Sequence, residues 1–296
     1  MRSRCDGDVV NAMTTTTTTT STTTAPALDW RIDTLDLDAY LRRIGQPAAS
    51  PSAEALASLH EAHVRTIPFE NVDVVLGRTP SLELPDIADK LVHRQRGGYC
   101  FEHGLLFAAA LERLGYDVVR CMARVGFDKP DAPLTHLLSL VSVGDERFLA
   151  DVGFGSGLLV PLPLTDGART EHGGWPFRLR QEGRHWLLET PTDDDGWHVA
   201  HGFDETPQRF VDYVVANHYI ATHPKSPFTR RLIVQRKDHG NCRKLLGRGY
   251  QVEYADGRPT ESKSVTPDEL GDVLRSLDIV VDSDELARLR EVYAGE

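Results

Sequence analysis

This sequence is poor in cysteine and lacks the cysteine pairs that mark structural metal sites and disulfide frameworks. Its four cysteines, at positions 5, 100, 121 and 242, form no Cys-x-x-Cys pair in 296 residues. Free thiols suit a reducing compartment such as the cytoplasm better than an oxidising one. We therefore expect a cytoplasmic protein that has neither disulfides nor a bound metal.

Long apolar runs and an excess of positive charge are also missing. No apolar stretch approaches the roughly 20 residues that a membrane-spanning helix needs. Lysine and arginine number 33 against 44 aspartates and glutamates, a net charge of −11. Nucleic-acid binding normally requires an overall basic surface, so neither a nucleic acid nor a membrane is an expected partner. The remaining composition is typical of a globular protein.

The N-terminal segment differs in composition from the rest of the chain. Thr14 to Thr24 is threonine interrupted only by Ser21, and no apolar stretch of a secretory signal precedes it. Such a tract cannot bury enough apolar surface to offset its ordering entropy. We predict a disordered threonine-rich tail over residues 1–27, within which Met13 is a second candidate for the start of translation.

Beyond the tail, the hydrophobic pattern divides the chain into three regions. Residues 28–115 show helical spacing, with Gly45 as one helix stop and Ser50-Pro51 as the start of the next helix. Residues 116–206 read as strands, because apolar residues alternate with polar ones over 119–125 and recur over 134–143. Residues 207–296 mix both kinds of signal. The sequence therefore predicts an α+β protein whose middle region is a sheet or small barrel.

The most informative stretch is Arg96-Gly97-Gly98-Tyr99-Cys100-Phe101-Glu102-His103. The segment from Phe101 to Leu114 has helical apolar spacing, which places Cys100 at or next to a helix N-terminus. Unpaired backbone N–H groups and the helix dipole stabilise negative charge there, which favours the nucleophilic thiolate. A lone cysteine is more commonly a buried packing residue. The two glycines favour the functional interpretation, because a tight turn exposes the side chain that follows it.

Two further residues complete a candidate catalytic set. His136 lies inside an otherwise apolar strand, and Asp151 lies at a strand end before a glycine-rich turn. Each has a simpler explanation, as a core histidine or as a turn-forming aspartate. Their strands are joined by a short turn, so the side chains can be neighbours if they share a face. The aspartate could then orient the imidazole and favour its charged form, which would hold Cys100 as thiolate.

These segments together resemble the arylamine N-acetyltransferases. The matching stretches run in order from about Leu28 to the C-terminus: Ile67-Pro68-Phe69-Glu70-Asn71, Arg96 to Glu102, Thr135-His136-Leu137, Asp151-Val152-Gly153-Phe154-Gly155, Asn217-His218-Tyr219 and Thr222 to Phe228. The resemblance implies a triad of Cys100, His136 and Asp151. It also implies a core like that of cysteine proteases and transglutaminases. The helical bundle (28–115) would carry the nucleophile, the β-barrel (116–206) the histidine and aspartate, and residues 207–296 would form an α/β lid.

The resemblance implies acetyl transfer by a ping-pong mechanism through an acetyl-cysteine. Acetyl-CoA would be a co-substrate, with no cofactor held, and an aromatic amine or hydrazine would accept the acetyl group. Self-association is left open. The resemblance implies an acceptor pocket formed by Phe69, Val125 and Phe154. It implies coenzyme contacts at Thr222, His223 and Lys225. It also implies a structural ion pair between Glu70 and Arg96.

Three alternatives stay open at this point. An amide synthase of the same fold, acting on a carrier-bound polyketide, would use the same triad. A cysteine hydrolase would use water in place of the amine, and a binding module would need no triad at all. One departure concerns Gly104, which stands where the resembled family usually has asparagine. Glycine in a helix costs about 1 kcal/mol relative to alanine.

Overall fold

Capping residues and apolar faces together define the first helices. The computed structural model describes residues 30–192, 194 and 196–295, so the predicted tail lies outside the described residues. Helix α1 (Leu37–Ile44) ends at Gly45 in the left-handed conformation, as predicted. Helix α2 (Ala53–Thr66) begins two residues later than Ser50-Pro51 suggests, because Ser52 accepts the Ala55 amide and is the actual cap.

Helix α5 (Cys100–Arg113) is the central element, and residues 100–111 are buried throughout. It packs against strands of the larger sheet and against the neighbouring short helices. The other helices are α3 (Val72–Val75), α4 (Leu84–Ala88), which continues into a π-helical turn (Asp89–His93), α6 (Phe210–Thr222), α7 (Leu270–Ser276) and α8 (Ser283–Ala294). Among the described residues, no helix is both long and apolar enough to cross a membrane.

The middle region forms an antiparallel eight-stranded sheet in the described residues. Its strands are β2 (Asp117–Val125), β3 (Leu134–Val143), β4 (Glu146–Ala150), β5 (Leu162–Pro163), β6 (Arg169–Thr170), β7 (Phe177–Glu182), β8 (His185–Pro191) and β9 (Trp197–Phe203), in the order β5-β4-β3-β2-β9-β8-β7-β6. Leu138, Leu162, Phe177 and Phe203, from strands across the whole sheet, share one core cluster. The sheet therefore curls around its own core and is barrel-like.

A second antiparallel sheet joins distant parts of the chain. It has the order β1-β10-β11-β12-β13, from β1 (Phe69–Glu70), β10 (Ile233–Lys237), β11 (Asn241–Leu246), β12 (Gly249–Tyr254) and β13 (Glu261–Ser264). Strand β1 pairs with β10 through Phe69 and Gln235, so a strand of the helical region belongs to the C-terminal sheet. Helices α7 and α8 share a core cluster with this sheet.

Helix α6 departs from the predicted division of the chain. Its buried residues Tyr213, Ala216 and Ile220 belong to the same core cluster as α5, not to that of the C-terminal sheet. Tyr213 packs against the rings of Trp30 and Phe101, and these contacts hold α6 in the core cluster that contains α5. Residues 207–296 are thus shared between two cores. We propose that the boundaries near 115 and 206 mark changes of secondary structure and not independent folding units.

Candidate functional site

Cys100 is the first residue of α5, where the sequence placed it. The Tyr99 amide before it donates to Glu102 Oε2 at 3.1 Å, so a carboxylate three residues on closes the helix start. The thiol is nearly buried, and its sulfur donates to the Thr135 carbonyl oxygen at 3.7 Å. Cys100 therefore lies at the N-terminus of α5, against the beginning of β3.

The β3–β4 hairpin brings His136 and Asp151 together. His136 Nε2 donates to Asp151 Oδ2 at 2.8 Å, and both side chains are buried. Asp151 Oδ1 accepts the Gly153 amide at 3.1 Å. Cys100 is close enough to His136 to interact with it, and this interaction contributes to the raised pKa of the imidazole. Since Nε2 faces Asp151, the other ring nitrogen, Nδ1, is the one available to the thiol, and the three side chains are arranged as a cysteine–histidine–aspartate set.

Electrostatics keeps this histidine protonated. Burial disfavours the imidazolium, but the charge and hydrogen bond of Asp151, with a smaller contribution from Cys100, outweigh burial and raise the pKa of His136 to about 10. Burial likewise opposes ionisation of Asp151, yet its hydrogen bonds and charge interactions with His136 and His201 hold the pKa of that carboxyl well below its usual range. At neutral pH the pair is therefore imidazolium and carboxylate.

His201 on β9 is a functional residue that the sequence did not reveal. Its Nε2 donates to Asp151 Oδ2 at 2.9 Å, so this oxygen accepts from two histidines. Burial lowers the pKa of His201, which keeps the ring neutral with its proton on Nε2. Among the described residues, its Nδ1 atom has no hydrogen-bond partner. No local pattern marks His201, because only the pairing of β9 with β2 brings it to the site.

His60 on α2 holds the backbone of the aspartate. Its Nε2 accepts the Asp151 amide at 3.2 Å, and its Nδ1 faces the Leu159 carbonyl oxygen at 2.9 Å. Burial lowers the pKa of His60 to about 4, so the ring is neutral and donates through Nδ1. His60 and His63 stand three residues apart on the inner face of α2. Two histidines on an otherwise apolar helical face were the signal that could have identified this support.

Close backbone approach explains two glycines near the site. A Cβ on Gly153 would lie 2.8 Å from the Cys100 carbonyl oxygen, so the aspartate turn packs directly on the start of α5. A Cβ on Gly104 would lie 2.1 Å from Leu137 Cδ2. Glycine at 104, where the resembled family usually has asparagine, therefore fits the close packing of α5 on β3.

A buried charge cluster lies beneath the loop that precedes Cys100. Arg96 Nη2 contacts Glu70 Oε1 at 2.8 Å, while Lys90 Nζ contacts Asp73 Oδ2 at 2.5 Å and Glu102 Oε1 at 2.8 Å. Burial and the neighbouring carboxylates Glu70 and Asp73, acting against Lys90, raise the pKa of Glu102 to about 7. Glu102 also caps α5, so the cluster fixes the segment that presents the thiol. Lys90 was missed because nothing local distinguishes it from a surface lysine.

The aromatic residues named for the acceptor pocket are placed unequally. Phe154 packs edge-on against the His136 ring with centroids 5.2 Å apart. Phe69 is buried and lies 5.9 Å from the Phe228 ring. Val125 ends β2 opposite the backbone of His201 and is 47% exposed. Phe154 therefore contacts the triad directly, Phe69 is buried beside Phe228, and Val125 lies at the solvent-facing strand end.

The residues named for coenzyme binding follow the end of α6. The Thr222 hydroxyl donates to the His218 carbonyl oxygen of its own helix at 2.6 Å. The His223 ring stacks on Tyr219 with centroids 4.4 Å apart, and Lys225 is exposed. Phe228, three residues beyond Lys225, contacts Phe69, so this segment runs towards the site.

The chain is similar in sequence to known N-acetyltransferases. A sequence model of a family described as N-acetyltransferase matches residues 52–286. The arylamine N-acetyltransferase / N-hydroxyarylamine O-acetyltransferase of Salmonella typhimurium is 38% identical over 77% of this chain and 83% of its own length. The arylamine N-acetyltransferase of Mycobacterium tuberculosis is 39% identical over 75% of this chain and 82% of its own.

Solved structures agree over nearly the whole chain. The arylamine N-acetyltransferase of Mycobacterium abscessus superposes with a TM-score of 0.86 at 34% identity, covering 92% of this chain and 99% of that one. The Mycobacterium marinum enzyme in complex with CoA gives a TM-score of 0.80 at 32% identity, over 87% of this chain and 99% of the other. The predicted α+β class and the resemblance stated from the motifs are confirmed.

Proposed function

The chain belongs to the arylamine N-acetyltransferase family, and we propose that it moves an acetyl group from acetyl-CoA to the nitrogen of an aromatic amine or hydrazine through an acetyl-cysteine on Cys100. The observation that carries the proposal is the position of Cys100 at the start of α5 together with the buried, hydrogen-bonded pair of His136 and Asp151. Acetyl-CoA is a co-substrate in this proposal, and the nucleophile and the acid–base group are side chains of this protein.

In the first half-reaction, the Cys100 thiolate attacks the thioester carbonyl carbon. A new carbon–sulfur bond forms, the bond to the coenzyme sulfur breaks, and the His136 imidazolium protonates the departing thiolate. In the second half-reaction, the amine nitrogen attacks the acetyl-cysteine, the now neutral His136 removes the amine proton, and the Cys100 thiolate leaves. The imidazole is thus acid in one half and base in the other.

Two further buried histidines hold Asp151 in place during this cycle. Asp151 orients His136 and stabilises its charge, as the aspartate of a catalytic triad does. His201 supplies a second donor to the same carboxylate oxygen, and His60 holds the Asp151 amide. With its amide held by His60 and its carboxylate oxygens held by His136, His201 and the Gly153 amide, Asp151 can turn neither away from the imidazole nor towards solvent.

The surroundings of the triad support an aromatic acceptor. Phe154 and Phe69 offer ring faces and edges on which a flat arylamine can pack. Val125 would line the outer, solvent-facing part of this pocket. In this assignment, polar groups contribute through the triad and not through the walls of the pocket.

For the coenzyme, we assign the segment containing Thr222, His223 and Lys225. Lys225 is exposed at the end of α6 and supplies positive charge for a phosphate on an otherwise acidic protein. The adjacent Arg230 and Arg231 add to that charge. The Glu70–Arg96 ion pair has a structural role in this assignment, bracing the loop before Cys100.

A reducing compartment is required for this chemistry. Cys100, Cys121 and Cys242 are free thiols in the structure. Oxidation of the nucleophile would end the cycle, because the thiolate performs the attack. We therefore assign the enzyme to the cytoplasm.

The experiment is a comparison of Cys100→Ser with Cys121→Ala and Cys242→Ala, as matched removals of the other described thiols. Cys100→Ser should lose arylamine acetylation by at least about a thousandfold, because a hydroxyl provides no thiolate near neutral pH. The controls should keep acetylation within a fewfold, provided that their melting temperatures show a folded protein. Full turnover in Cys100→Ser, with acetyl on another cysteine, would overturn the assignment. Release of a carrier-bound polyketide chain as an amide, in preference to acetylation of free arylamines, would favour an amide synthase.

A further inference from the structure

A second cluster of histidines and a carboxylate lies outside the triad. His172 Nε2 lies 3.0 Å from Glu61 Oε2, and His239 Nε2 lies 2.6 Å from Glu61 Oε1. The three ligand atoms are all within 4.8 Å of one another. Two imidazole nitrogens thus converge on one carboxylate, and the proposed acetyl transfer uses none of them.

The three residues come from separate parts of the fold. Glu61 lies on α2, next to His60 but directed away from the triad. His172 begins the 3₁₀ turn (His172–Gly174) between β6 and β7 of the larger sheet, and His239 lies in the turn between β10 and β11 of the second sheet. A ligand bound here would therefore link the helical region to both sheets.

Backbone contacts hold the two histidine turns against each other. The Gly240 amide donates to the Gly173 carbonyl oxygen at 2.8 Å, and Trp175 Nε1 donates to the Asp238 carbonyl oxygen at 2.9 Å. The imidazole rings of the two histidines lie 5.2 Å apart and nearly perpendicular. Their convergence on Glu61 is therefore fixed by the turns and does not depend on two freely moving surface side chains.

Charge and access at this cluster suit a small cation. His172 and His239 are 38% and 47% exposed, while Glu61 is 21% exposed, so the carboxylate forms the floor of an open site. Arg65 Nη1 lies 3.2 Å from Glu61 Oε1 and opposes a second positive charge. The Asp238 carboxylate lies 2.7 Å from Arg65 Nε and offsets that arginine. The local balance with neutral histidines is one negative charge.

We propose that Glu61, His172 and His239 form a binding site for a borderline divalent transition metal of the Zn²⁺ class, which clamps α2 to the two turns. Neutral imidazole nitrogen and carboxylate oxygen are ligands that Zn²⁺ accepts at about 2.0–2.2 Å. On binding, the metal takes the place of the two Nε2–H···O hydrogen bonds, and the single proton of each neutral imidazole moves from Nε2 to Nδ1 by exchange with solvent. The absence of cysteine pairs predicts no metal site, and the ligands proposed here include no cysteine.

The test is a Zn²⁺ titration by calorimetry on the full-length chain carrying Cys5→Ala and Cys100→Ala, so that these thiols do not compete for metal. One equivalent of Zn²⁺ should bind. His239→Ala, His172→Ala or Glu61→Gln should each weaken binding by at least about tenfold. Loss of a group that only hydrogen-bonds to a metal ligand already costs about this much, and loss of the ligand itself costs no less. His198→Ala, an exposed histidine on β9, is the matched control and should not change binding.

Two further measurements distinguish a metal site from a hydrogen-bond network that binds no metal. Zn²⁺ should raise the melting temperature of the parent protein, which is the chain carrying Cys5→Ala and Cys100→Ala, and of its His198→Ala variant. It should not raise the melting temperature of the His239→Ala variant. The His239 side chain is exposed, so its removal should leave the chain folded. Co²⁺ bound in place of Zn²⁺ should show weak visible bands without a thiolate charge-transfer band. Binding should also weaken in acid, since the ligand histidines must be neutral.

Absence of saturable Zn²⁺ binding, or equal binding in the parent and all three ligand variants, would overturn the proposal. A thiolate band with Co²⁺ would overturn it as well, because it would assign the metal to a cysteine. Arylamine acetylation by the wild-type enzyme is not part of this test, so failure here leaves the proposed function untouched.

Discussion

The buried charge cluster beneath the nucleophile allows a quantitative prediction for Lys90→Met. Lys90 is 6% exposed and contacts Asp73 and Glu102, which are 16% and 2% exposed. Removing one partner of a buried ion pair typically costs about 3–5 kcal/mol, because the other charge is left uncompensated. The cluster borders a cavity of about 250 Å³, which admits water to these carboxylates. We therefore expect the lower end of the range, about 3 kcal/mol.

This loss should be measured by thermal and urea unfolding. For a chain of this size about 1 kcal/mol corresponds to about 2–4 °C, so the melting temperature should fall by about 6–12 °C. Lys129→Met removes an exposed lysine and is the matched control, with an expected change below about 0.5 kcal/mol. A loss below about 1 kcal/mol in Lys90→Met would refute the claim that this lysine neutralises the cluster.

The loss should also depend on pH in a defined direction. The pKa of Glu102 is raised from 4.5 to about 7, so the folded state binds a proton more tightly than the unfolded state does. Stability contributed by this group is present below about pH 4.5 and is lost as pH rises through 7. Lys90 lowers that pKa, so Lys90→Met should raise it further. The destabilisation should therefore be larger at pH 8 than at pH 5.5. A larger loss at pH 5.5 would contradict the reasoning.

Two further predictions concern the site itself. Gly104→Ala gains about 1 kcal/mol of helix propensity but forces Leu137 aside, which costs about 1–3 kcal/mol, so unfolding should show a small net loss of stability. A higher melting temperature would show that α5 and β3 have room for a methyl group. Asp151→Asn removes the charge that keeps His136 protonated. Iodoacetamide should therefore alkylate Cys100 quickly at pH 5.5 in the wild-type protein and slowly in the variant, and equal rates would contradict this.

The parts of the structure that could be predicted are those whose signals lie within a few residues of one another in the sequence. The helix starting at Cys100 and the strand over 134–143 are confirmed, because a glycine turn and an apolar repeat mark them within a few residues. His136 and Asp151 could be predicted as neighbours because one short turn joins their strands, and their side chains lie 2.8 Å apart. His201 was not found, since it reaches Asp151 only through the pairing of strands distant in sequence.

The same limit applies to packing between elements. The pairing of β1 with β10 joins residues that are far apart in the chain, so no local sequence pattern predicts it. The charge of Lys90 is visible in the sequence, but its burial follows from the helices that pack over it. Gly104 looked like a defect in the first turn of a helix, and only the position of Leu137 shows why glycine fits there.

The central claim is that Cys100 carries the acetyl group between donor and acceptor. Intact-protein mass spectrometry after mixing with acetyl-CoA alone tests it most directly. We predict a single added acetyl group, mapped to Cys100 by peptide analysis, which disappears when an aromatic amine or hydrazine is added and is recovered on the nitrogen of that acceptor. An unmodified protein, an acetyl group on another residue, or equally fast loss as free acetate without an acceptor would contradict the account.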